Sequence, residues 1–276
     1  MNIDNFEQLK EQLYRKGFGD TLNIHLEASM KSGQPEFTLE TVLPIEQDEV
    51  GYRLHFRNDL ENDKVYFNSY DVALLSVTDP EGNPRQHSFQ AEKLITAMEA
   101  YHMLKHGDLV AVNKNLFNKD GEKYNTWLSL DLNGPKDEYN NYPLNSYHEK
   151  YYQKYPFILS AELQKMPVPV KELEHAGFRE NIGKSLKKAH LVPVTILLNG
   201  SETKGFLAVN PAKGRVDLYD SQMKLVESKQ QSAEVKKTAT QQQSQQAEEP
   251  DVKKKPWPDQ KVNWTQKNQA GKGKSI

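Results

Sequence analysis

The sequence predicts an α+β protein: mainly antiparallel sheet with flanking helices, a C-terminal helix-plus-three-stranded-meander module, and a disordered tail. Three observations carry this reading. Apolar residues recur at helical spacing near residues 4–16 and 90–106, yet alternate at period two over the stretches between and after them. The alternating runs are separated by short turns rich in Gly, Asn, Asp and Pro. Past Glu227 the composition breaks: residues 227–276 contain no Leu, Phe or Tyr and no Ile except Ile276, so a core is confined to residues 1–226.

Each element follows from local pattern. Phe6, Leu9 and Leu13 predict a first helix over 4–16, which Asp4 or Asn5 can cap and Gly17 can stop. Leu22, Leu26 and Met30 mark a second helical piece before Ser32 and Gly33. From Phe37 the period becomes two. Phe37, Leu39 and Leu43 come first, then Val50, Tyr52, Leu54 and Phe56 alternating with Gly51, Arg53, His55 and Arg57, then Val72 and Leu74. These read as antiparallel strands, with residues 79–84 as a turn. Leu94, Met98, Tyr101 and Leu104 restore helical spacing over 90–106, ending at Gly107. VAVNKNLF and YNTWLSLDL flank Asn118, Lys119, Asp120 and Gly121, and the Asp-Gly pair tolerates the positive φ of a tight hairpin. Residues 133–156 read as a loop followed by a short helix around Tyr147 to Tyr155. Pro169 opens a predicted helix ending near Gly177, and Ile182, Leu186 and Ala189 mark another that closes in Lys187 and Lys188, where cations suit a helix C-terminus. VPVTILL, Asn199-Gly200, TKGFLAV, residues 210–214 and RVDLYD then spell a three-stranded meander.

The resulting division is an N-terminal α+β domain over 1–135, a Tyr-rich connector over 136–165, a helical and β-meander module over 166–226, and a Gln/Lys-rich tail over 227–276. Charge divides the same way. The tail has ten Lys against six acids, or +4; residues 1–226 have 26 basic against 32 acidic side chains, or −6. An acidic body argues against a large basic groove there and places any broad attraction to phosphate in the tail. The absence of Cys excludes disulfides, thiolate metal sites and thiol catalysis. Neither a signal peptide nor a run of about 18 apolar residues is visible, so a soluble, cytoplasmic protein with no membrane partner is expected.

PEFTL (35–39), YFNSYDV (66–72), AVNK and NKDGEKYNTWLSLD within 111–131, and AVNPAKGRVDLYD (208–220) together resemble a family of uncharacterised proteins of Bacteroidota-type bacteria. Members are associated with conjugative and other mobile elements. The resemblance covers most of residues 1–226. It implies an accessory role on a mobile element in a bacterial cytoplasm, and supplies no catalytic residues.

Several residues invite a chemical reading. Glu99, His102 and His106 lie three and four apart on a predicted helix and can project from one face as metal ligands. The alternative is histidines favoured near a helix C-terminus by its dipole, and no HExxH pattern is present. Asp217 and Asp220 form a carboxylate pair or simply close the meander as solvated acids. Asn68 to Asp71 and Asn113 to Asn115 either line a cleft or bond local backbone. GFGD lacks the pattern of a phosphate loop, and NKDGEK lacks the terminal acids of a calcium loop. Tyr139, Tyr142, Tyr147, Tyr151, Tyr152 and Tyr155 form a contact surface or pack a connector.

The tail holds the sharpest local feature. Lys253, Lys254 and Lys255 precede Trp257, which is flanked by prolines, and Trp264 follows. Lysines neutralise phosphates while indoles stack on unpaired bases. The same residues also suit a linear peptide docking on a protein, a basic tail folding back on its own acidic body, or a solvated tail with no partner. The expected function is therefore that of a non-enzymatic interaction protein, binding a protein partner or, through the basic tail, nucleic acid, with no cofactor and an open oligomeric state. A metal-dependent enzyme acting on nucleic acid, built on Glu99, His102 and His106, is the alternative.

Overall fold

The computed structural model describes residues 1–78, 82–152, 156–198 and 200–227. Two helices open the chain, α1 (Ile3–Arg15) and α2 (Asn23–Ser32). Helix α1 starts one residue earlier than residue spacing suggested, and its cap is Asn2, whose side chain accepts the Asn5 N–H at 3.0 Å. Asn5 is unavailable as a cap because its amide brackets Val65, donating to Val65 O at 3.0 Å and accepting Val65 N–H at 2.7 Å. Gly17, at φ +88°, then turns the chain and lets Phe18 insert edge-on against Tyr52 and Tyr70.

A four-stranded antiparallel sheet follows in simple order: β1 (Glu36–Ile45), β2 (Asp48–Asp59), β3 (Lys64–Thr78) and β4 (Pro84–Gln90). The period-two residues Val50, Tyr52, Leu54 and Phe56 are buried as expected. Helix α3 (Ala97–His106) lies on this sheet but begins well after residue 90. A capping box fixes its start, with Thr96 and Glu99 exchanging side-chain and backbone bonds. The preceding residues are tied down differently: Lys16 Nζ donates to Ala91 O at 3.1 Å and Ile95 O at 3.4 Å, and Tyr70 donates to Ile95 O at 3.0 Å. Gly107 ends α3 at φ 60° and ψ −135°, where a Cβ would stand 2.9 Å from Leu132 Cγ.

A second sheet comprises β5 (Val112–Phe117), β6 (Lys123–Leu130) and β7 (Leu144–His148). The loop-plus-helix expected over 133–156 is corrected here. Residues 144–148 are a strand, because Tyr147 pairs with Trp127 and Ser146 shares a hydroxyl hydrogen bond of 2.9 Å with Thr126. Among the described residues a short 3₁₀ turn, Glu149–Tyr152, follows.

The last part holds α4 (Leu159–Glu162), α5 (Ala176–Leu186) and a three-stranded meander of β8 (Val192–Leu198), β9 (Ser201–Asn210) and β10 (Arg215–Asp220). The helix expected to begin at Pro169 is not formed. Residues 169–172 instead cover the free edge of β8: Thr195 N–H donates to Glu172 Oε2 at 2.9 Å and Leu197 N–H to Pro169 O at 3.1 Å.

Two clusters of buried residues hold these layers. One joins α1, α2, the first sheet, α3 and the inner face of the second sheet through Leu116, Leu128 and Leu130. The other joins Ala111 and Trp127 to α4, α5 and the meander. The second sheet is thus shared, and Met1–Lys229 form one compact unit. The tail, including Lys253, Lys254, Lys255, Trp257 and Trp264, lies outside the described residues from 228 onward.

Candidate functional site

The three residues read as possible metal ligands do share helix α3, but their side chains diverge. Glu99 Oε2 accepts the Thr96 N–H at 2.8 Å and Lys114 Nζ at 2.6 Å. This ion pair is nearly buried, at 13% and 8% side-chain exposure. Behind it lies Lys16, whose pKa burial lowers to about 8, helped by Lys114 and opposed by Glu99.

His102 and His106 turn the other way and stack. Their ring centroids lie 6.1 Å apart at an interplanar angle of 16°, and His190, arriving from the segment before β8, stacks on His102 at 4.6 Å and 30°. Stacked imidazoles aim their nitrogens outward from the ring edges and not toward a common point, as a metal at about 2.0–2.1 Å from each would require. Among the described residues no three His, Asp or Glu side chains are placed to hold a metal ion. Burial lowers the His102 pKa to about 4, with the neighbouring His190 adding to the effect, and burial also depresses His106 and His190. His102 Nδ1 is buried without a hydrogen-bond partner.

On the next face of α3, Tyr101 and Lys105 form a pair that the Tyr-x-x-x-Lys spacing could have signalled. The phenol donates to Glu46 Oε2 at 2.9 Å or Asp48 Oδ2 at 2.8 Å, and Lys105 Nζ reaches Tyr101 Oη at 2.6 Å and Glu46 at 2.9 Å. A lysine beside a phenol can make a phenolate base. Here burial raises the Tyr101 pKa and the two carboxylates add to the rise, so the proton stays on oxygen. Asp48 is held at about 2, chiefly by the Ser76 hydroxyl at 2.6 Å.

Beyond the end of α3 opens a cleft of about 550 Å³ between β4 and the segment joining β6 to β7, lined by Arg85, His106, Asp108, Leu109, Asn133 and Tyr142 among others. Arg85 is partly committed, since its Nη1 donates to the carbonyls of Leu104 and Lys105 at 3.2 and 3.3 Å and so caps α3. The carboxylate pair of the meander is also separated. Asp217 is buried and paired with Arg215 and Asn210, while Asp220 accepts the N–H groups of Gln222 and Lys224 in the next turn.

Set against protein-family models, curated proteins and solved structures, the chain matches none. Its function must therefore be argued from its own residues.

The tyrosines divide between packing and surface. Tyr142 is buried, and Tyr151 and Tyr152 donate to Ala212 O at 3.0 Å and Pro211 O at 2.8 Å, tying residues 149–152 to the turn after β9. Tyr155 lies outside the described residues. Of the two polar inserts, the first is structural: Tyr70 is core, and Asp71 meets His55 Nε2 at 2.8 Å. The second is divided: Lys114 turns inward to Glu99, Asn113 is half-buried and Asn115 is exposed. Asn113, Asn115 and Asn125 mesh on the outer face of the β5–β6 hairpin, with amide bonds of 2.8, 2.9 and 3.0 Å, beside a Phe117 that is 67% exposed.

Proposed function

We propose that this chain is a non-enzymatic interaction protein of a bacterial mobile element, acting in the cytoplasm and binding a macromolecular partner. The observation that carries the reading is the opposite treatment of two sets of residues. Groups suited to catalysis are engaged within the fold: Glu99 by Thr96 and Lys114, Tyr101 by Glu46 and Asp48, Asp217 by Arg215 and Asn210. Groups suited to recognition are turned outward on the β5–β6 hairpin. The mobile-element setting rests on the motifs within 35–39, 66–72, 111–131 and 208–220. A second contact region is the tail, whose lysines and tryptophans suit either a protein groove or a single strand. No helix among the described residues is long and apolar enough to cross a membrane.

The test is a capture experiment with the full-length chain as bait, run beside a full-length variant carrying Glu at positions 253, 254 and 255 and Ala at 257 and 264. A salt-titrated nucleic-acid binding assay accompanies it. Partners held by the parent and lost by the variant support the tail as a contact region. Equal retention of every partner removes the tail from the proposal, and a chain that retains neither protein nor nucleic acid removes the proposal itself.

A further inference from the structure

One stretch of the second sheet lies beyond both core clusters. Antiparallel pairing sets Phe117 opposite Lys123, Asn115 opposite Asn125 and Asn113 opposite Trp127, and paired residues leave a sheet on the same side. Segment 187–189 extends the sheet past β5. Asn113 N–H donates to Lys187 O at 2.9 Å and Ala189 N–H to Ala111 O at 3.1 Å, which brings Lys187 level with Asn113. Trp127 is covered by Phe157. Phe117, Asn115, Asn125, Lys123 and Lys187 are exposed.

Three properties of this face select one class of partner. Phe117 presents a flat apolar ring to water, which gains by being covered with another flat ring. The amide mesh fixes three Asn side chains in place, and among the described residues Asn115 Nδ2 has no acceptor, which leaves its N–H groups for a ligand. Lys123 and Lys187 have no carboxylate partner among the described residues, so a local cationic rim borders the ring and the amides. The hairpin's own acids lie at its tip, where Asn118 Nδ2 holds Glu122 at 2.9 Å. An exposed ring, fixed amides and uncompensated lysines are the combination that binds unpaired bases and their phosphates. A protein partner would have less use for the cationic rim.

We infer that the outer face of the β5–β6 hairpin binds single-stranded nucleic acid, with a base stacked on Phe117, a base edge bonded by the Asn115 amide that Asn113 and Asn125 hold in place, and phosphates held by Lys123 and Lys187. This rests on the interaction-protein reading above and names its partner. Because residues 1–226 carry −6 overall, attraction is confined to the rim and weakens steeply with salt. Duplexes are disfavoured, since a paired base cannot leave its stack to reach Phe117 without cost.

The test is fluorescence anisotropy with the full-length chain and labelled oligo(dT), oligo(rU) and duplex of about 15 nucleotides, a length set by common site sizes. Single strands are expected to bind more tightly than the duplex, and the two oligonucleotides distinguish DNA from RNA as the source. Phe117→Ala should weaken binding about tenfold. Lys123→Glu with Lys187→Glu should weaken it further and flatten the salt dependence by about two phosphate contacts. All three side chains are exposed, so circular dichroism should match the parent. Parental affinity in these variants, with binding lost instead on Lys253→Glu, Lys254→Glu and Lys255→Glu, overturns the assignment while leaving the interaction reading intact. A preference for duplex, or no binding by the parent, also overturns it, and the protein capture experiment then judges the broader reading.

Discussion

Glu99 shows how one side chain can resemble a ligand in sequence and be a strut in structure. Its carboxylate closes the capping box of α3 and is the nearest anion to Lys114, with Lys16 buried behind it. Removing a buried charge partner costs more than the pair contributes, because the remaining ions keep their desolvation penalty. Glu99→Gln retains an N3 side chain able to bond the cap backbone, so its effect isolates the charge. We expect a loss of about 3 kcal/mol in urea denaturation at neutral pH. Lys114→Met should cost less, since Glu99 keeps its cap bonds and Lys16 as a nearby cation. A second expectation follows from the same divergence of side chains: zinc or a chelator should leave the thermal midpoint of the full chain unchanged. A rise of several degrees with zinc would require His102, His106 and a third ligand to rearrange. The residue spacing legible in the sequence was correct, but spacing along a helix does not say where a carboxylate turns when a buried ammonium lies nearby.

At the scale of elements, the stack of His102 and His106 on His190 joins α3 to the segment entering β8. It was invisible in sequence because His190 lies far along the chain and its approach depends on Ala189, buried at φ 60° with its N–H on Ala111 O. Strands were legible wherever period two was clean, as in β2 and the meander. They were not in β7, where Asn and Pro nearby mimic a loop and the strand exists through its pairing with β6. The stack has a pH consequence. An ordinary imidazole takes its proton near 6.5, whereas burial holds His87 and His102 unprotonated down to about 4. Between these values the unfolded chain binds protons that the folded chain does not, so acid favours unfolding. Stability should be fullest above about pH 6.5, fall as pH drops toward about 4, and level off below that for these two groups, with a total loss of order a few kcal/mol. Around the stack, Glu46 and Asp48 favour protonation, while Lys105 and Lys188 oppose it. Urea midpoints across this range should show the slope, and His102→Leu should flatten it. An unchanged slope in that variant would assign the acid sensitivity elsewhere.

For the molecule as a whole, the question is whether residues 1–226 unfold in one step or two. Composition suggested a break across a Tyr-rich connector, because that stretch lacks long apolar periodicity. In the fold, β7 lies inside the stretch and completes the second sheet, whose two faces feed the two clusters of buried residues. A sheet with a core on each face cannot lose one without exposing large apolar surface from the other, at about 25 cal/mol per Å². Unfolding should therefore be a single cooperative transition. Trp127 makes this measurable, since it is the sole Trp in residues 1–226 and belongs to the second cluster, while Tyr52, Tyr70 and Tyr101 are buried in the first. In a Trp257→Phe, Trp264→Phe chain, indole fluorescence reports the second cluster, and a mobile-to-rigid aromatic signal dominated by the tyrosines, read in near-ultraviolet circular dichroism, reports mostly the first. The two denaturation curves should superimpose. Curves whose midpoints separate would mean that the second sheet can part from one of its cores, and that the division near residue 136 read from composition is also a division in stability.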